Sequence, residues 1–383
     1  MSLQFDDIDY LERLRQLPNA QLHLHWDGCI PFEFLWDHYK DQGRKLYLPE
    51  RHLNGEAVKG DREIKSLAEL VQFRDGLLKQ WNIGDVFDVS VMAMQTREEL
   101  KTMAIAACEY LSSQNTFYAE LRFAPWLHSQ YYERGTSKLS LNEVIEASLK
   151  GFEEGERQFG VNVKPTICIT RDLSPDDAKK VVEAALNFQY DGKRRGVVGI
   201  DLAGYEPSFP PELFSEAFST TFGSNLKRTI HADEMVDKKQ GVKNLYTSLF
   251  GLRADGIGHG IHLHELIDEN PDLIQIMKIL DIRLESNPIS VLTTGFVKDA
   301  ADLHLDKLVE SGVKVTVNAD DPAMWPNGDP AHSLYVVGKL YGDKFVETVL
   351  RNSIDSAWGL SEQGKLYHNE LLTINLKSNG FIQ

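Results

Sequence analysis

Short apolar runs alternate with long amphipathic stretches along most of the 383-residue chain. The runs are rich in Val, Ile, Leu and Thr, which is typical of parallel strands buried on both faces. The predicted strands cover residues 20–26, 117–124, 163–170, 197–202, 226–231, 256–259, 281–285 and 313–318. Helical patterns fill the gaps, for example at residues 97–114, 141–158, 174–187, 211–221 and 299–311. Eight strands that alternate with helices predict an α/β fold, the (β/α)8 TIM barrel.

The alternative architecture is an open, doubly wound parallel sheet. A dinucleotide-binding version of that sheet would carry GxGxxG after its first strand, and this chain lacks it there. No linker or repeat divides the sequence, so we expect residues 1–383 to form a single domain. Residues 39–95 fit no single strand–helix unit and predict a helical insertion after the first strand. Such an insertion either covers the mouth of the barrel or is a plain structural excursion.

The composition narrows the class of function. The formal net charge is −16, which disfavours duplex nucleic acid and anionic membranes as partners because both require clustered Lys and Arg. The three cysteines are sparse and form no CxxC pair, so free thiols are expected rather than a disulfide framework. The first residues do not resemble a secretory signal, and no run approaches 18 apolar residues. These features predict a cytoplasmic protein.

Polar residues gather where the predicted strands end. In a barrel these carboxyl ends meet on one face, where active sites of this architecture lie. Residues that are far apart in sequence would therefore surround one small volume. The segments are His23-Leu24-His25-Trp26-Asp27-Gly28, Asp201-Leu202-Ala203-Gly204, His231-Ala232-Asp233-Glu234, Gly258-His259-Gly260 and Asn318-Ala319-Asp320-Asp321-Pro322.

His23 and His25 stand two residues apart on the first predicted strand, so both imidazoles face the same side. Two imidazoles at fixed spacing can bind zinc, and a carboxylate or a third imidazole completes a site with an open position for water. His231 and Asp320 are the natural completions. A lone strand histidine is more often a hydrogen-bonded core residue, but four such residues at strand ends predict one Zn²⁺ per chain.

Hydrolysis also needs groups that handle protons. His259 lies between two glycines, which allow close approach, and it is suited to receive the proton of the attacking water. Glu234 is suited to protonate the electrophile if its surroundings keep it protonated. Taken alone, Glu234 is equally consistent with an acid that complements a helix dipole. Asp320 and Asp321 are adjacent, so one can face the metal while the other faces the substrate.

The ordered set of motifs resembles the adenosine deaminases of the amidohydrolase superfamily. The resemblance runs from LPNAQLHLHWDG to NSIDSAWGLSEQGK, with YAELRFAP, DLAGYE, HADE, GIGHGI, SNPISVLTTG and NADDP between them in order. It implies an amidohydrolase-type barrel and hydrolytic loss of ammonia from a 6-aminopurine nucleoside. It implies that Glu234 donates a proton to a ring nitrogen and that His259 acts as base or orients the attacking hydroxide. The implied zinc ligands are His23, His25, His231 and Asp320.

The same resemblance implies the substrate contacts. Asp321 would hydrogen-bond a second ring nitrogen of the purine, and the backbone at Gly204 would contact a third. Asp27 would approach the ribose 5′-hydroxyl. The partner implied is a small molecule, a 6-aminopurine nucleoside or an analogue of one.

One departure affects the substrate. The family pattern after the fifth strand is His-Ala-Gly-Glu, and this chain has Asp233 where the family has glycine. We expect Asp233 either to keep Glu234 protonated or to contact a substrate amine or ring N–H. The presence of Asp233 leaves open an alternative function, that of a zinc hydrolase of the same superfamily that acts on another aminated heterocycle or an amide. A non-catalytic, ligand-binding descendant is the remaining alternative.

Overall fold

The computed structural model describes residues 4–51, 57–78, 83–192 and 195–383. In these residues eight parallel strands form the predicted barrel, which confirms the (β/α)8 fold and excludes the open sheet. Each strand lies within two or three residues of its predicted position. The strands are β1 (Asn19–His25), β2 (Thr116–Phe123), β3 (Thr166–Thr170), β4 (Gly199–Ala203), β5 (Lys227–Ala232), β6 (Gly256–His259), β7 (Arg283–Ser286) and β8 (Lys314–Val317).

Every strand pairs with its neighbours in chain order, and a short strand, Asn162–Val163, also pairs with β2. The barrel closes between its last and first strands. A parallel bridge joins Leu24 to Asp320. The N–H of His25 donates to the Asp320 carbonyl at 2.9 Å, and the N–H of Asp320 donates to the His23 carbonyl at 3.2 Å. The closing contact therefore lies among three of the predicted metal ligands.

Helices surround the barrel, and several begin at residues whose side chains cap them. Ser140 and Glu143 form a capping box, and the side chain of Ser174 accepts from the N–H of Asp177. The α-helices are Ile8–Arg15, Trp26–Cys29, Phe32–Asp41, Leu67–Leu78, Ile83–Val91, Arg97–Ser113, Leu141–Phe159, Pro175–Leu186, Ser215–Ser219, Lys238–Tyr246, Leu266–Glu269, Pro271–Ile279, Pro288–Thr293, Leu305–Glu310, Pro330–Tyr341, Asp343–Asp355 and Glu362–Ser378.

Two of the stretches predicted as single helices are wrong, because each is interrupted in the structure. The stretch 211–221 is a 3₁₀ turn, Pro211–Phe214, followed by the short helix Ser215–Ser219. The stretch 299–311 divides at His304, whose φ of +45° is left-handed and cannot continue a right-handed helix. Among the helices of the described ranges, none has the length and apolar character needed to cross a bilayer.

The predicted insertion at 39–95 is only partly helical. It contains an antiparallel pair of strands, Leu46–Arg51 and Ala57–Ile64, before the helices Leu67–Leu78 and Ile83–Val91. Residues 52–56 and 79–82 of this insertion lie outside the described residues. The Phe87 ring lies 6.3 Å from the His25 ring, centroid to centroid. The second of these helices therefore lies against the face of the barrel where the strands end, as the mouth-covering alternative requires.

Candidate active site

The structure brings the four predicted metal ligands together. His23 and His25 come from β1, His231 from β5, and Asp320 follows β8. The Nε2 atom of His231 lies 3.1 Å from Nε2 of His23 and 3.2 Å from Nε2 of His25. Asp320 Oδ1 lies 3.2 and 3.5 Å from the Nε2 atoms of His23 and His25. One potential ligand atom from each residue lies within 4.8 Å of the others.

These distances fit a single small cation. Two atoms bound to one Zn²⁺ at about 2.0–2.1 Å, with tetrahedral angles between them, lie about 3.4 Å apart. Asp320 Oδ1 is buried and makes no hydrogen bond of good geometry within the described residues. A buried carboxylate oxygen without a donor is costly, and a cation at the centre of the cluster removes that cost. The residue types are those that bind zinc in hydrolases.

A second layer of side chains orients two of the imidazoles. His23 Nδ1 lies 2.9 Å from Glu285 Oε2, and His231 Nδ1 lies 3.1 Å from Asp201 Oδ1. Arg122 joins both acids, since its guanidinium donates to Asp201 Oδ2 at 3.1 Å and to Glu285 Oε2 at 2.8 Å. With Nδ1 of each ring bound to a carboxylate, the tautomer that leaves Nε2 free for a metal is favoured.

This layer is buried, and each of its acids pairs with an arginine. Arg283 Nε donates to Glu285 Oε1 at 2.8 Å, and a second guanidinium nitrogen of Arg283 pairs with Glu120. Although burial acts to raise it, His231 and Arg122 hold the pKa of Asp201 well below its usual range. Burial also acts to raise the pKa of Glu285, but Arg122 and Arg283 lower it well below its usual value. We call this set the floor charges: Glu120, Arg122, Asp201, Arg283 and Glu285.

The predicted acid and base lie beside the ligands. His259 Nε2 is 3.5 Å from Glu234 Oε1 and 3.9 Å from Asp320 Oδ2. Burial raises the pKa of Glu234 to about 8. Burial also lowers the pKa of His259 well below its usual value. His259 Nε2 is buried without a hydrogen-bond partner in the described part of the chain. The pair therefore presents a protonated acid and a neutral imidazole at neutral pH.

Two further predicted carboxyls lie in the same region, and no described Lys or Arg forms an ion pair with either of them. Burial, with Asp320 and Asp27 nearby, raises the pKa of Asp321 well above its usual value. Burial raises the pKa of Asp27 to about 7. The Oδ1 atom of each is buried and makes no hydrogen bond to any described residue. A Cβ at Gly28 would lie 1.9 Å from Asp321 Oδ1, so the glycine makes room for this carboxyl. We call Asp27, Glu234 and Asp321 the mouth carboxyls.

Gly204 directly follows β4 and has a φ of +106°, a conformation that favours glycine. Close to it are two residues that sequence reasoning missed. Glu206 accepts backbone N–H groups from Asp233 and Glu234 at 2.8 and 3.0 Å. Arg171 donates to the carbonyl of His231, which fixes the end of β5. Glu206 is the last residue of the DLAGYE motif, which could have indicated it, whereas Arg171, a loop residue next to a strand end, carried no pattern that separated it from a surface charge.

Asp233 follows the ligand His231 but turns away from the cluster. Its Oδ1 lies 2.6 Å from Nδ1 of His262, and its Oδ2 accepts the N–H of the same residue at 2.6 Å. It is not among the charges that shift the pKa of Glu234 most strongly. Both carboxylate oxygens are thus engaged within the protein, and we leave Asp233 out of the proposed substrate contacts.

Comparison with known proteins places these features in a family. The family model described as adenosine deaminase matches residues 18–367. The adenosine deaminase of Mycobacterium marinum is 31% identical over 328 residues, which cover 83% of each chain. An adenine deaminase structure from Arthrobacter aurescens superposes with a TM-score of 0.76 at 22% identity, covering 94% of this chain and 99% of that one.

A zinc-bound amidohydrolase structure from Burkholderia ambifaria superposes with a TM-score of 0.75 at 19% identity. It covers 99% of this chain and 97% of its own. At these identities the two structures support the fold, whereas the family assignment rests on the match over residues 18–367. The chain belongs to the adenosine deaminase family, whose members are metal-dependent hydrolases that act on C–N bonds of purines.

Proposed function

We propose that the protein is a zinc-dependent aminohydrolase that deaminates adenosine or a related 6-aminopurine nucleoside. Water adds at the amino-bearing carbon, the C–N bond breaks, and the products are the 6-oxopurine nucleoside and ammonia. The observation that carries the proposal is the position of Glu234, an acid whose pKa is raised to about 8 and whose Oε1 lies 3.5 Å from Nε2 of the neutral His259, next to the four ligands. Hydrolytic deamination needs this combination.

The proposed metal is one Zn²⁺, held by His23, His25, His231 and Asp320. When bound, it supplies hydroxide near neutral pH, since zinc lowers the pKa of a coordinated water to about 7. Glu285 and Asp201 keep His23 and His231 in the ligating tautomer. The remaining chemistry is assigned to side chains of the chain itself.

Glu234 and His259 handle the protons. Burial raises the pKa of Glu234, which favours the protonated carboxyl, and this carboxyl can give its proton to the ring nitrogen beside the attacked carbon. That transfer removes negative charge from the ring as the new C–O bond forms. His259 is neutral and its Nε2 is unpartnered among the described residues, so this atom can receive the proton of the attacking water.

Asp321, Gly204 and Asp27 orient the substrate in this proposal. The raised pKa of Asp321 keeps its carboxyl protonated, so it can donate to a second ring nitrogen of the purine. The backbone of Gly204 contacts a third ring nitrogen from the end of β4. Asp27 Oδ1 is buried without a partner in the described residues, and it accepts a hydrogen bond from the ribose 5′-hydroxyl.

The test is ammonia release by the zinc-loaded protein from adenosine, 2′-deoxyadenosine, adenine and adenosine 5′-monophosphate. We expect the nucleosides to have the highest kcat/KM. Asp27→Ala should raise KM for adenosine about tenfold, because one buried hydrogen bond is lost, and leave KM for adenine unchanged. A preference for adenine would assign a nucleobase substrate. No ammonia from any of the four, with zinc bound, would contradict a purine substrate and leave another aminated heterocycle or an amide.

A further inference from the structure

Asp233 holds an unusual backbone conformation next to the proposed acid. Its φ is +60°, a left-handed value that residues other than glycine rarely adopt. The residue is also fully buried. Strain of this kind persists where the surroundings determine the conformation, and it gathers at functional sites. The contacts of Asp233 therefore show what holds it there.

The main contact is with His262, three residues after His259. The Asp233 carboxylate lies 2.6 Å from the His262 ring nitrogen Nδ1, and it accepts the N–H of the same residue, also at 2.6 Å. The Asp233 carbonyl accepts the N–H of Ile261 at 2.9 Å. Three hydrogen bonds thus connect the segment after β5 with the segment after β6.

The other side of Asp233 is also in close contact with the protein. Gly241, in the helix Lys238–Tyr246, faces the carboxylate so closely that a Cβ there would lie 1.9 Å from Asp233 Oδ1. The N–H groups of Asp233 and Glu234 donate to Glu206 at 2.8 and 3.0 Å. Asp233 consequently has little freedom, and Glu234 is the next residue along the chain.

We propose that the Asp233–His262 pair is a positioning device that fixes the separation of the Glu234 carboxyl and the His259 ring. It connects the two segments within one residue of Glu234 and three residues of His259. The Oε1–Nε2 distance between those side chains is 3.5 Å. The inference rests on the proposed function, because it takes Glu234 and His259 as the groups that move protons.

The first test compares two substitutions of His262, whose side chain is 26% exposed and can change without opening the core. His262→Ala removes the ring donor, whereas His262→Asn keeps an N–H near the position of Nδ1. We expect His262→Ala to lower kcat about tenfold with KM within twofold, and His262→Asn to restore kcat to within threefold of the wild type. Zinc content should equal that of the wild type in both.

Three results would overturn the proposal. The first is an unchanged kcat in His262→Ala. The second is a fall that His262→Asn does not rescue. The third is a fall accompanied by loss of zinc or an equal rise in KM, since either would indicate general damage to the site.

A second readout does not depend on the substrate. Amide hydrogen exchange, followed by mass spectrometry on the zinc-loaded protein, reports the connection itself. We expect exchange in the peptides around residues 233–235 and 260–264 to be faster in His262→Ala and unchanged in His262→Asn. A wild type that deaminates no purine would contradict the proposed function and leave this result standing. Unchanged exchange in His262→Ala would overturn the connection even in an active enzyme.

Gly241 provides an independent arm. Gly241→Ala should displace the Asp233 carboxylate and lower kcat about tenfold, as His262→Ala does. In an Asp233→Gly background the obstructing carboxylate is gone, so the added methyl should cause no further loss. Additive losses in the double variant would overturn the proposal. A gain in adenosine kcat in Asp233→Gly alone would also do so, since it would make Asp233 a specificity residue.

Discussion

The floor charges and the mouth carboxyls are both buried and lie on either side of the ligands, yet Asp201 and Glu285 of the first set have pKa shifts opposite to those of the second set. The pKa of Asp201 is lowered because His231 and Arg122 lie against it, and the pKa of Glu285 is lowered because Arg122 and Arg283 do. The pKa values of Asp27, Glu234 and Asp321 are raised because burial outweighs the positive charges around them, and no Lys or Arg of the described residues forms an ion pair with any of the three. Burial alone therefore does not decide the charge of an acid in this protein; its partner does.

The two sets suit different tasks. An ionised carboxylate against Nδ1 of an imidazole orients the ring and strengthens it as a ligand. A protonated carboxyl can donate a hydrogen bond or a proton to a purine nitrogen, which an ionised one cannot. In the described part of the chain, arginines lie beneath the ligands and none pairs with a mouth carboxyl. The acids that orient the ligands are therefore ionised, and the acids that face the substrate are protonated.

The largest expected effect comes from the mouth carboxyls. Glu234→Gln keeps the shape of the side chain but removes the transferable proton. We expect kcat for adenosine to fall about 10²–10⁴-fold, the usual contribution of a general acid, with zinc content unchanged. Steady-state kinetics with metal analysis checks this. A kcat within threefold of the wild type would remove Glu234 from the proton transfer.

Neutralising one of the acids among the floor charges should weaken zinc binding rather than proton transfer. Asp201→Asn and Glu285→Gln should each weaken zinc binding about 10–100-fold, measured by competition with a chromogenic chelator. Asp27→Asn is the matched control and should leave zinc affinity unchanged. Circular dichroism must first show that the Asp201 and Glu285 variants fold, because each removes one of the two acids that pair with Arg122, and breaking a buried ion pair costs about 3–5 kcal/mol of stability. Equal zinc affinity in all three variants would contradict the comparison.

The smallest effect is on stability against pH. The pKa of Asp27 is about 7 in the folded protein and 3.8 ordinarily. The folded state thus binds more protons, and stability falls as pH rises between these values. From pH 6 to 8, the metal-free wild type should lose about 1 kcal/mol that Asp27→Asn does not lose. Metal-free protein is used because the charge of Zn²⁺ would lower this pKa.

Urea unfolding of both proteins at the two pH values measures the difference. Asp272→Asn, at an exposed position, makes the same change in charge and serves as the control. If the free energies of unfolding of the wild type and Asp27→Asn change in parallel with pH, Asp27 is ionised in the folded state. It then does not belong with the other mouth carboxyls.

The sequence predicted the ligand cluster because the relevant signal is local. The spacing of His23 and His25, together with strands ending at His231 and Asp320, places side chains on one face of any eight-stranded barrel. The floor charges had a signal that was not used. Arg122 and Glu285 lie inside strands predicted to be buried, and a charge in such a strand needs a partner.

The partners themselves could not be predicted. Which acid Arg122 meets depends on how β2, β4 and β7 are staggered in the barrel, and no local pattern encodes that stagger. The orientation of Asp233 was hidden for the same reason, since His262 and Gly241 lie on other elements. The break at His304 depends on a backbone angle that its helical pattern did not indicate.

The closure of the barrel also bears on the order of folding. The ligand cluster takes two members from β1 and one from the residues just after β8, and the bridge between Leu24 and Asp320 joins the same two ends. Contacts between residues nearly 300 positions apart form late, because a long loop must close before they stabilise anything. A nascent chain that has not yet reached Asp320 has neither a closed barrel nor a full ligand set. In the proposed zinc enzyme, a full ligand set therefore requires that synthesis has passed Asp320 and that the barrel has closed.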